Sequence, residues 1–172
     1  MENIQFNSPY GKVIFSSTIT VPKEYVFEKH IDSFVQDSGT SIHVVGDLPT
    51  DKNFSQVSNR LSPGETYQVE IVPIVDYISH CQHCLDQLKT EKNLLFLGTQ
   101  GLVLFKQQHP SELPYGRLIS FDEKEHLFHN GTIEQLYYMQ RSSSGFYTEF
   151  SSINFWSSLG SRGLYLLLFY KL

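Results

Sequence analysis

The apolar stretch "GLYLLLFYK", residues 163–171, is the feature that most constrains the fold of this chain. Successive side chains of a β-strand point to opposite faces, and here leucines and aromatic residues occupy both alternating sets. A strand with one face in water would alternate apolar and polar residues. The stretch therefore predicts a strand that is covered on both faces, with Leu166 and Leu168 in the main core.

Alternating patterns predict further strands along the chain. Residues 12–21 place Val13 and Ile19 on the same side, and residues 66–75 alternate apolar with polar side chains. Other strand patterns span residues 41–46, 132–140, 145–150 and 153–156.

The remaining segments predict helices, a hairpin and a loop. Apolar residues at helical spacing after Pro22 predict a helix that ends near Gly39. A capping box that starts at Ser120 predicts a short helix over residues 120–131, with acidic residues compensating the dipole of its first turn. Two continuous apolar runs within residues 93–107 predict a hairpin of two buried strands. The polar residues 47–62 predict a surface loop.

The chain contains no alanine, so its core consists of larger side chains. Alanine is the best helix former, whereas valine, isoleucine, phenylalanine and tyrosine favour strands. The composition therefore favours sheet, although an AT-rich coding sequence would also lack alanine. A length of 172 residues suits one domain. We predict a single α+β domain over residues 1–172, with a mostly antiparallel twisted sheet and two or three helices.

The charge pattern disfavours a nucleic-acid partner. The net charge is −5, and the 13 lysines and arginines are scattered without a basic run, whereas phosphate-tracking surfaces cluster them. The N-terminal residues have no signal-peptide shape, and the most apolar segment is about half as long as a membrane-spanning helix. Nucleotide-binding and nucleophile motifs are absent. We therefore expect a cytoplasmic protein that acts without nucleic acid, membrane or cofactor.

Both cysteines fall in "YISHCQHCLDQL", residues 77–88, which has three interpretations. In the first, Ser79 caps a helix and the helical period sorts the cysteines onto an apolar stripe. The stripe consists of Cys81, Cys84, Leu85 and Leu88, and another face carries His80, His83 and Gln87. Free cysteine behaves as a small hydrophobe that is often buried, so this interpretation needs no chemistry.

The other two interpretations are chemical. A C-x-x-C pair beside a strand–helix junction, with His83 favouring the thiolate of Cys81 or Cys84, fits a thiol–disulfide oxidoreductase. This local order resembles that of thioredoxin-like proteins, although the strand patterns that follow differ from that fold. The third interpretation is a zinc-dependent protein, because zinc sites combine cysteine and histidine ligands from two segments. Its ligands would be His80, Cys84, His126 and His129.

Aromatic residues crowd the region 137–156. Partly exposed tryptophan dominates interface hot spots. We therefore predict that Trp156, Tyr147 and Phe155 border a shallow aromatic patch where a partner docks; the alternative is that Trp156 closes one end of the core. Because the sequence contains no catalytic constellation, the leading hypothesis is a small non-enzymatic binding protein for a protein partner, such as an inhibitor, immunity or accessory protein.

Overall fold

The structure is a computed structural model. It describes residues 10–26, 29–30, 33–34, 42–44, 57–75, 86–91, 93–122, 127–129, 133–141, 148–154 and 163–172.

In these ranges the chain forms nine strands and one fully bounded helix. The strands are β1 (Phe15–Thr20), β2 (Ile42–Val44), β3 (Thr66–Pro73), β4 (Leu94–Leu95), β5 (Arg117–Ile119), β6 (Leu127–His129), β7 (Ile133–Arg141), β8 (Thr148–Asn154) and β9 (Leu164–Lys171). The helix is α1 (Gly98–Gln108). Residues 33–34 and 86–88 are also helical. Among the described residues, no helix is long and apolar enough to cross a membrane.

The described strands join one mixed sheet in the order β1-β3-β9-β5-β7-β8-β2. The short strand β4 also pairs with β9, and β6 with β7. β5 runs parallel to β9, and β2 runs parallel to β8. The other pairs are antiparallel, as predicted. The sheet curls around α1. The helix contacts β1, the first strand in this order, and also β5 and β7, which lie on the other side of β9 from β1.

Strand β9 lies inside the sheet and is covered on both faces, which confirms the prediction from its sequence. Leu167 and Phe169 belong to the larger core, which also contains the buried residues of α1. Leu166 and Leu168 face a second core on the other side of the sheet. The prediction that these two leucines lie in the main core is therefore wrong. Alternate residues of a strand face opposite sides, and the larger core lies on the side of Leu167 and Phe169.

The predicted hairpin over residues 93–107 is wrong, since this segment forms the short strand β4 followed by α1. Residues 98–105 are all buried, so the sequence shows neither the two-residue period of a strand nor the amphipathic period of a helix. Leu97 occupies the N-cap position without a side-chain capping bond. The usual sequence signal for a helix start is therefore also missing.

Helix α1 is held at both ends by close contacts. A Cβ atom added at Gly101 would lie 2.6 Å from Cε2 of Phe169, so the helix backbone approaches β9 more closely than a side chain permits. At the other end, the N–H of Thr20 donates to Oε1 of Gln108 at 3.1 Å, and Nε2 of Gln108 donates to the carbonyl of Thr20 at 2.6 Å. The Gln108 amide thus satisfies two backbone groups of β1, the terminal strand of the described sheet.

The predicted helix over residues 120–131 is also wrong in its described part. Residues 127–129 form β6, which pairs with β7. Ser120 and Asp122 are buried without helical structure. Asp122 therefore does not compensate a helix dipole; its carboxylate bonds to Ser58 instead. Glu123 and its neighbours up to residue 126 lie outside the described residues.

The other predicted elements agree more closely with the structure. β1, β2, β3 and β7 fall within or beside the predicted ranges, and the candidates 145–150 and 153–156 both overlap the single strand β8. The strand pattern over residues 12–21 places Val13 on the same side as Ile19, but Val13 precedes β1 and is 46% exposed, whereas Ile19 is buried. Residues 29–30 and 33–34 are helical, and Phe34 is buried, as expected for the helix after Pro22.

Candidate functional site

The cysteine segment lies almost entirely outside the described residues. This applies to Cys81, Cys84, His80 and His83, so the core-stripe, redox and zinc interpretations all stay predictions. The described residues that follow are helical at 86–88. Leu88 is buried and Asp86 is exposed, the sides that the helical period assigns to them.

The structure does not describe the side chains of the remaining predicted site residues either. His126, Tyr147, Phe155 and Trp156 are outside the described residues, and of His129 the structure describes only the backbone, in β6. Within the described ranges, no three histidine, cysteine, aspartate or glutamate side chains group as metal ligands.

A buried glutamine at the start of α1 fastens an irregular segment, residues 57–62. Oε1 of Gln100 accepts a hydrogen bond from the N–H of Leu61 at 3.1 Å, and Nε2 of Gln100 donates to the carbonyl of Asn59. Nδ2 of Asn59 in turn donates to the carbonyl of Phe96 at 3.2 Å. These bonds satisfy backbone N–H and carbonyl groups that have no partner in a helix or strand, because the segment has no regular secondary structure. The end of the predicted loop 47–62 is thereby fixed, and Leu61 is buried.

A buried carboxylate holds the same segment from a second direction. The N–H of Ser58 lies 3.0 Å and 2.9 Å from the two carboxylate oxygens of Asp122, and the Ser58 hydroxyl donates to Oδ1 at 2.8 Å. Asp122 is 3% exposed. Burying a carboxylate is unfavourable unless hydrogen bonds satisfy it, so this contact fixes the position of the segment.

We expect Asp122→Ala to lower the free energy of unfolding by about 2–3 kcal/mol, because the N–H and hydroxyl of Ser58 would lose a charged acceptor. The midpoint and slope of urea denaturation measure the change. Asp122→Asn is the matched control, since it keeps one acceptor oxygen and should lose less. Equal stability of Asp122→Ala and the parent chain would show that Asp122 does not anchor residues 57–62.

A polar cleft of about 350 Å³ opens beside this segment. Arg60 and Lys171 contribute cationic groups to its lining. Within it, the Tyr67 hydroxyl donates to Oε2 of Glu65. Burial, and secondly this hydrogen bond, raise the pKa of Tyr67, so the phenol stays protonated and orients the carboxylate. The cleft is thus a polar surface with charges of both signs.

A more exposed feature lies where the loop after α1 meets β5. Tyr115 is 78% exposed, and the guanidinium carbon of Arg141 lies 4.8 Å from its ring centroid. Nη2 of Arg141 also donates to the carbonyl of Ser111. Nζ of Lys106 donates to the carbonyl of Pro110 at 2.9 Å. Lys106, Tyr115 and Arg141 together are called the Tyr115 rim below.

The loop that carries Tyr115 is fixed on both sides of the tyrosine. Leu113, two residues earlier, is buried. A Cβ atom at Gly116 would lie 2.3 Å from the carbonyl oxygen of Gly163, so a side chain would not fit there. The N–H of Arg117 donates to that same carbonyl at 2.8 Å. An exposed aromatic ring on a fixed loop loses little conformational entropy when a partner binds.

Sequence reasoning missed the Tyr115 rim because its members are far apart in the chain. Lys106 lies on α1, Tyr115 in the following loop and Arg141 at the end of β7. One local signal was present: Tyr115 stands between Pro114 and Gly116 in a proline-containing loop, where an aromatic side chain is readily exposed.

The chain matches no protein-family model, no curated protein and no solved structure. Its function therefore has to be inferred from the geometry of its surface.

Proposed function

We propose that this protein is a non-enzymatic binding protein that presents the Tyr115 rim to a protein partner in the cytoplasm. The observation that carries the proposal is the 78% exposure of Tyr115, whose ring is held by Arg141. Tyrosine and arginine are among the residues that dominate interface hot spots. Inhibitor, immunity and accessory proteins act in this way, by surface contact without chemistry.

The stacked arginine gives the tyrosine a defined orientation. A guanidinium over an aromatic face is attracted by the ring quadrupole, and Tyr115 stays 78% exposed beside this contact. Gly116 and Gly163 fix the loop beneath it through their close approach. The rim therefore combines exposure with preorganisation, which favours tight binding over a small area.

The predicted aromatic patch supplies further contacts in this proposal. Tyr147 directly precedes Thr148, and Thr148 pairs with Arg141 in the β7–β8 ladder. Phe155 and Trp156 follow the other end of β8. Of the three predicted residues, Tyr147 is therefore the one closest in sequence to the Arg141–Thr148 pair.

The test places a photo-crosslinking amino acid at position 115 of the full chain and irradiates it in an extract of the native host. We expect adducts of discrete mass that form only on irradiation. The substitution Arg141→Gln should lower their yield at least tenfold. The same amino acid at position 26 is the control, because Val26 is 48% exposed. Arg141→Gln should lower the melting temperature only modestly, because Leu113 and the close approach of Gly116 to Gly163 also fix the loop.

Two outcomes would contradict the proposal. Identical adducts from positions 115 and 26 would mean that exposure alone, and not the rim, causes crosslinking. The absence of any adduct at position 115, while position 26 gives adducts, would mean that the partner binds elsewhere.

A further inference from the structure

The two cations of the Tyr115 rim are close enough for the charge of Arg141 to act on Lys106. Lys106 and Arg141 are both half-buried, and both donate to carbonyls of the same short loop. Burial, and secondly the charge of Arg141, lower the pKa of Lys106. Like charges held together at low solvent exposure repel each other more strongly than they would in water.

Within the described part of the chain, no carboxylate is seen to form an ion pair with Lys106 or Arg141. Glu112 is the acidic residue nearest in the loop, and its Oε1 accepts a hydrogen bond from the Ser111 hydroxyl at 3.2 Å. Glu112 thus has a neutral hydrogen-bond donor in the same loop as a partner.

We propose that the Tyr115 rim binds an acidic segment of its protein partner, with a glutamate or aspartate carboxylate between Lys106 and Arg141 and a neighbouring side chain against the ring of Tyr115. This inference rests on the proposed function and adds the chemistry of the partner. The incoming carboxylate removes the repulsion between the two cations, and a guanidinium pairs with it through two parallel hydrogen bonds.

The charge of the whole chain makes this site selective. A net charge of −5 repels acidic peptides in general. An acidic segment that binds must therefore be attracted by a local positive site, and the rim supplies one beside an exposed aromatic ring. Binding of this kind weakens with increasing salt, because ions screen the attraction.

The test uses two fluorescein-labelled peptides, Gly-Glu-Leu-Glu-Gly and Gly-Gln-Leu-Gln-Gly, titrated with the full chain and followed by fluorescence anisotropy. We expect the glutamate peptide to bind at least tenfold more tightly than the glutamine peptide. The substitutions Arg141→Gln and Lys106→Gln should each weaken the affinity for the glutamate peptide at least tenfold. Lys23→Gln, which removes an exposed lysine outside the rim, should change it less than twofold. Equal affinities of the two peptides would overturn the proposal.

A second measurement keeps the two proposals separable. Nitrogen-15 NMR of the Lys106 ammonium should show its pKa rising when the glutamate peptide binds, and an unchanged pKa would overturn the acidic-segment inference. Crosslinking at position 115 together with equal peptide affinities would leave the proposed function standing and refute only the acidic chemistry. Displacement of the peptide by inorganic phosphate, but not by acetate at equal ionic strength, would instead indicate a phosphorylated segment and also overturn the inference.

Discussion

Phe169→Ala is expected to lower the free energy of unfolding by about 3–5 kcal/mol, a large part of the 5–15 kcal/mol that typically stabilises a domain. The Phe169 side chain is fully buried in the larger core. Its backbone pairs with Val69 on β3 and with Leu95 on β4, so neighbouring strands limit how far the site can collapse around a cavity. Guanidinium denaturation followed by circular dichroism measures the loss.

Tyr170→Ala is the matched control, because Tyr170 is the next residue of the same strand and is only partly buried. Its loss should be about 1–2 kcal/mol, as for an average substitution. A Phe169→Ala chain that unfolds at nearly the same denaturant concentration as the parent chain would contradict the burial of Phe169 in the larger core.

Gly101→Ala should destabilise the protein by about 1–3 kcal/mol through overpacking. In an ordinary helix interior the same change stabilises by about 1 kcal/mol, so the expected sign is reversed. The added Cβ would lie 2.6 Å from Cε2 of Phe169 and 2.9 Å from Cβ of Leu97. Both neighbours are buried and have little room to move. The shift in melting temperature gives the sign directly.

A double-mutant cycle with Phe169→Leu tests the cause of this effect. Leucine lacks the ring atoms that an alanine at position 101 would meet, whereas the contact with Cβ of Leu97 remains. The loss caused by Gly101→Ala should therefore be smaller in the Phe169→Leu background than in the parent chain. An equal loss in both backgrounds would show that contact with Phe169 is not the reason. A Gly101→Ala chain more stable than the parent would contradict the close approach of α1 to β9.

The strands were predictable where the alternation of side chains along the sequence shows which faces of the strand are buried. In β3, Tyr67, Val69 and Ile71 alternate with polar residues and are all buried on the same face. In β9 both alternating sets are apolar, and both faces are covered. These patterns follow from the geometry of a strand, which does not depend on which strand pairs with which.

Helix α1 and the bonds of Asp122 could not be predicted in the same way. The run from Leu102 to Phe105 is apolar on every side of the helix, and no cap marks its start. Asp122 stands in a segment with a local capping signal, yet its partner Ser58 is 64 residues away in the chain. A contact over that separation forms only when the sheet brings the two segments together.

The sequence by itself determined that the chain forms a mostly antiparallel sheet with helices, and that the strand within residues 163–171 is covered on both faces. Tertiary structure alone decided that α1 is a helix and that Lys106, Tyr115 and Arg141 meet at one rim. The physical reason is the range of the interactions. Side-chain alternation acts between neighbouring residues, whereas burial on all sides and the meeting of distant charges depend on how the sheet folds around the helix.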